Sequence, residues 1–139
     1  MKKLHFVVGL IGLAAFLGTG LYMHFGFDHL RGMTDAQRLL FRSTHIYLLL
    51  TAMVNLAMGM SLKQAVGWGG WLQRVGSLIV LLTPFFAAIG FFTEPWLTEL
   101  ERPWSRACAY GCLAGMMLHL LGWLTTCPWR SNATGNIVK

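Results

Sequence analysis

The chain has 139 residues, of which 55% are hydrophobic and only 12% charged. An average soluble domain carries about a quarter charged residues, and four spans of about 20 residues each would occupy over half of this chain, leaving little for a separate soluble domain. The net charge of +6 comes from Lys and Arg scattered between apolar runs. It reads as a topology signal and speaks against a nucleic-acid partner.

The first apolar run, Leu4 to Phe25, follows Lys2 and Lys3. It is about twice as long as the core of a secretory signal, and Gly18-Thr19-Gly20 is a poor cleavage site, so a first span is expected over 4–25. A polar connection leads to Thr34-x-x-Gln37, which fits a capping box. A helix should therefore start at Thr34 or Asp35 and carry the second span over 38–60, with Arg38 and Arg42 in the headgroup layer. The connection from Ser61 to Arg74 contains Gly67-Trp68-Gly69-Gly70-Trp71, where glycine breaks the helix and tryptophan suits the interface. A third span is expected over 75–93. It contains Pro84, whose freed carbonyl needs Thr83 or a neighbouring helix. Glu94 to Arg102 is the most acidic stretch, and Pro95 can open a short interfacial helix there. The fourth span is expected over 104–126, stopped by Pro128, with 131–139 a short, disordered cytoplasmic tail. The expected fold is all-α: a polytopic membrane protein whose single domain, 1–130, is an antiparallel bundle of four transmembrane helices.

With both termini inside, the inner segments carry six basic residues (Lys2, Lys3, Lys63, Arg74, Arg130, Lys139) and the outer ones five (Arg31, Arg38, Arg42, Arg102, Arg106). That margin is thin for the positive-inside rule. Lys2 and Lys3, beside the first span, and the placement of all five acids outside favour cytoplasmic termini and an inner-membrane location.

Polar residues inside spans are costly and therefore informative. Arg42, His45, Ala52, Asn55 and Gly59 share one stripe of the second span. Ala107, Gly111, Gly115 and His119 recur every four residues on the fourth, including a full GxxxG. Gly76, Thr83, Ala87, Gly90 and Glu94 share a stripe of the third. Gly59, Gly90, Gly111 and Gly115 are thus the expected packing positions. Helix rise places Asn55 and His119 at nearly one depth, with Thr83 near that level, so an Asn55–His119 contact is expected, direct or through water or Thr83. Nearer the outer surface, Arg42, His45 and Glu94 begin or end their spans, with Glu99, Glu101, Arg102 and Arg106 nearby in sequence. They suggest an ion-pair network or the mouth of a polar pocket. Cys108 and Cys112 share a helix face without structural-zinc spacing and read as small packing residues.

Cofactors have little support. His45 and His119 lie about 15 Å apart in depth by helix rise, so they cannot ligate one haem. His24 and His29 could approach His45 at the outer surface, and with Met23 and Met33 they are weak candidates for copper. No phosphate-binding glycine loop, HExxH, GxSxG or intramembrane carboxylate pair is present. The expected role is therefore a non-catalytic accessory or structural subunit that packs against a larger membrane complex or itself. The alternative is binding or transport of a small molecule, ion or proton at a polar intramembrane site drawn from Arg42, His45, Asn55, Thr83, Glu94 and His119. A haem- or copper-binding redox subunit is the weaker third.

Overall fold

The computed structural model describes residues 1–61, 65–97 and 101–125, and over these it is all-helical. Its long helices are α1 (Lys2–Leu21), α2 (Asp35–Ser61), α3 (Trp68–Thr93) and α4 (Pro103–Leu124). All four are long and apolar enough to cross a membrane. Pro128 and the expected tail at 131–139 lie outside the described residues.

The helix ends follow from local chemistry. α1 runs into a π-helical turn, Tyr22–Gly26, and then a tight turn, Asp28–Leu30, with φ values of 43°, 59° and 63° at three successive non-glycine residues. Left-handed backbone costs about 1–2 kcal/mol per residue. Burial of Leu30 with Phe41 and Phe91 offsets it. At the start of α2 the capping box is complete: the Thr34 N–H donates to Gln37 Oε1 at 3.1 Å, and the Gln37 N–H donates to Thr34 Oγ1 at 3.3 Å.

α3 starts seven residues before the expected span. Gly67 alone supplies the break, at φ 71°, while Gly69 and Gly70 lie inside the helix. Close packing explains why: a Cβ on Gly122 of α4 would stand 2.5 Å from the Gly69 carbonyl oxygen. The close approach is thus made possible by Gly122 on α4, while a Cβ on Gly70 would meet the Ala65 carbonyl of the preceding connection. Pro84 does not interrupt α3 either. A proline leaves the carbonyl four residues earlier without its donor, and that carbonyl, Val80 O, accepts from Thr83 Oγ1 at 2.7 Å and from Asn55 Nδ2 at 3.2 Å.

The helices pack as two tight hairpins. α1 lies along α2, α3 along α4, and the α2–α3 contact joining the pairs is smaller. Both seams depend on missing side chains. A Cβ on Gly59 would stand 2.7 Å from the Phe6 nitrogen. One on Gly76 would stand 2.5 Å from the Gly115 carbonyl oxygen, and one on Gly115 would stand 2.6 Å from Val80 Cγ2. Gly90 faces Trp104 and Thr44, whereas Gly111 meets Thr83 at an ordinary 3.4 Å. Cys108 and Cys112 are buried free thiols, Cys108 packing with Leu48 and Ala87.

Candidate functional site

Asn55 is the junction of the interior. Its side chain is fully buried, and both amide hydrogens are used, one on Thr51 O at 2.9 Å and one on Val80 O at 3.2 Å. Its Oδ1 meets His5 Nδ1 at 2.8 Å. One side chain of α2 thus ties α1 to α3. Since Oδ1 can only accept, His5 Nδ1 carries the proton. The geometry therefore pairs Asn55 with His5; no direct Asn55–His119 bond forms. His5 was not among the sequence candidates, although the depth argument for His119 covers it equally. It lies about as far from the first turn as Asn55 does on α2.

The other expected cluster does not assemble. Glu94 is fully buried and accepts from the Ser105 N–H at 2.7 Å and from Ser105 Oγ. Ser105 sits in the first turn of α4, so this carboxylate caps a helix N-terminus and meets its partial positive charge. His45 Nδ1 lies 2.9 Å from Thr19 Oγ1, and its ring stacks on Phe16 with centroids 4.1 Å apart. The Thr19 hydroxyl already donates to Phe16 O, so the His45 ring donates to Thr19. Arg42 is exposed, because the buried face of α2 runs through Phe41, Thr44, Leu48, Thr51 and Asn55. The ion pairs among the described residues are Arg31–Asp28 and Arg38–Asp35. Glu99 lies outside them.

His24 and His29 meet on the first turn, with Nδ1 atoms 3.3 Å apart and rings nearly perpendicular, both exposed. Met23 and Met33 turn away to pack against the Leu30–Phe41–Phe91 cluster, so the four residues do not converge. No group of three or more His, Cys, Asp or Glu able to hold a metal occurs among the described residues.

What remains open is the end of the bundle where α1 and α3 begin. Three buried polar atoms there have no hydrogen-bond partner: His5 Nε2, Gln73 Nε2 and His119 Nδ1. Gln73 and His119 both lie on the α3–α4 seam, where a Cβ on Gly76 would meet the His119 backbone nitrogen and one on Gly122 the Gln73 side chain. Gln73 itself is buried, and its Oε1 accepts from the Ala65 N–H at 2.7 Å. His119 also lines a groove of about 610 Å³ between α2 and α4, together with Met58, Ser61, Met116, Met117 and Trp123. An unpartnered buried polar atom costs about 1–3 kcal/mol, and native proteins keep few. Among the described residues, His5, Gln73 and His119 are the side chains whose buried polar capacity is left unused.

No protein-family model, curated protein or solved structure matches the chain.

Proposed function

We propose that the chain crosses the inner membrane four times with both termini cytoplasmic, and that it is a non-catalytic accessory subunit packing against a larger membrane complex or itself. The observation that carries this reading is the use made of the interior polar groups. Asn55, His45 and Glu94 each bond a neighbouring helix, and Thr83 bonds the α3 carbonyl that Pro84 frees, which supports a structural role for them over a reaction centre. The lateral faces support it. The apolar windows of α1 and α4 are only 22% buried, against 50% for α3, so the two outer helices offer long apolar faces to lipid or to another subunit. Such surfaces join helices through packing and interhelical hydrogen bonds. Lys2 and Lys3 in the first turn of α1 support the orientation.

Native mass spectrometry of protein released gently from its own membranes tests the role. A complex of fixed composition, with another subunit or a defined copy number, is expected. A strictly monomeric protein without a partner would overturn it. A second reading, a polar intramembrane site for a small molecule, ion or proton, draws support from the unpartnered atoms of His5, Gln73 and His119. It does not draw on Arg42, His45 or Glu94.

A further inference from the structure

We infer that the groove between α2 and α4 seats one acyl chain of an anionic phospholipid, whose phosphate is met by basic side chains at the end of the bundle where α1 and α3 begin. The inference rests on the four membrane crossings of the reading above and is independent of the accessory role.

The groove ends at the level of the charges. α2 and α4 both run toward this end: a Cβ on Gly59 of α2 would meet Phe6 of α1, and one on Gly122 of α4 would meet Gly69 and Gln73 of α3. Ser61 and Trp123 are the lining residues nearest that end. Lys3 stands three residues beyond Phe6, about 4.5 Å by helix rise, with Lys2 next to it, and Arg74 directly follows Gln73. All three side chains are exposed. The described acids, Asp28, Asp35, Glu94 and Glu101, all belong to the opposite end. Among the described residues, the cations at this end thus have no carboxylate to pair with. The Ser61 hydroxyl is engaged by Ala57 O, which leaves a phosphate to the cations.

Length selects the tail. From Leu113 to Trp123 the α4 wall runs ten residues, about 15 Å. A hydrocarbon core is about 30 Å thick, so the groove has the depth of one leaflet. Leu113, Met116 and Leu120 share one face of α4, are exposed, and with Met58 make a mostly apolar wall whose thioethers adapt to a flexible chain. Trp123 stands where indoles meet headgroups. Basic positions beside grooves between spans are recurrent seats of anionic headgroups. A zwitterionic lipid fits the same groove but carries no net charge for Lys2, Lys3 and Arg74, so charge is what selects.

The test is native mass spectrometry of the full chain in detergent, offered equal amounts of phosphatidylglycerol and phosphatidylcholine with identical oleoyl chains. One phosphatidylglycerol per chain should be retained, preferred by at least about fivefold, the factor that one basic residue near a membrane surface supplies. In the triple variant Lys2→Gln, Lys3→Gln, Arg74→Gln the preference should vanish while retention at the phosphatidylcholine level remains. Met117→Trp fills the groove from an exposed position and should lower retention of both lipids. Leu113→Trp, a second exposed lining position, should do the same, whereas Leu17→Trp on the exposed face of α1 should lower neither. Equal retention of the two lipids by the unaltered chain, or a preference that survives the triple variant, would overturn the choice of an anionic partner. Undiminished retention in both groove-filling variants would overturn the groove as the seat. A chain that alkaline carbonate strips from its membranes would overturn the membrane crossing itself.

Discussion

The two ends of the bundle hold similar residue types and use them differently. At the end that carries the first turn, the His45 ring donates to Thr19 and the Glu94 carboxylate receives two donors from Ser105. At the opposite end, His5 is also held through Nδ1, by Asn55, but its second nitrogen and atoms of Gln73 and His119 have no partner. A histidine or carboxylate inside an apolar helix is therefore no evidence of a site by itself. The balance of donors and acceptors around it separates a structural tie from an open position.

The largest effect should come from closing the α3–α4 seam. In Gly76→Val the new side chain meets the Gly115 carbonyl and the His119 backbone nitrogen, neither of which can move aside as a side chain can. Overpacking of this kind costs about 3 kcal/mol, and reversible SDS unfolding should show the loss. Gly111→Ala, against an ordinary contact, serves as the mild control. Next comes Asn55→Leu, which removes the acceptor of His5 and one of two donors to Val80 O. A loss of about 2 kcal/mol is expected in the same assay. At the other end, Glu94→Leu should cost about 1–2 kcal/mol by uncapping α4, with Glu94→Gln recovering part of it because one acceptor oxygen remains. Arg42→Ala should change stability by less than about 0.5 kcal/mol, since the side chain lies on the exposed face of α2. A larger loss there would restore the polar pocket expected from sequence.

Much of the fold is legible in the sequence where the signal is local. Thr34 and Gln37 announce the start of α2 by spacing alone. Pro84 announces an orphaned carbonyl, and both remedies considered, Thr83 and a neighbouring helix, act on it. Spacing along one helix does not say which neighbour a face meets. Asn55 therefore reads as a partner of His119 while its oxygen goes to His5. Glu94 reads as part of a charged layer because arginines follow it in sequence, while the turn at Glu94–Trp96 carries it to the first turn of α4. The glycines before Gln73 read as a break, whereas only Gly67 breaks the helix and α4 approaches this turn through its own Gly122.

The His5–Asn55 bond is the side-chain tie between α1 and Asn55 at the centre of the bundle. A double-mutant cycle with His5→Leu, Asn55→Leu and the double variant, followed by reversible unfolding in bilayer-like micelles, isolates that pair from the other bonds of Asn55. Interhelical hydrogen bonds of this kind couple by about 0.5–1.5 kcal/mol, and a favourable coupling in that range is expected. Strictly additive losses would contradict the claim that this bond joins α1 to the rest of the bundle.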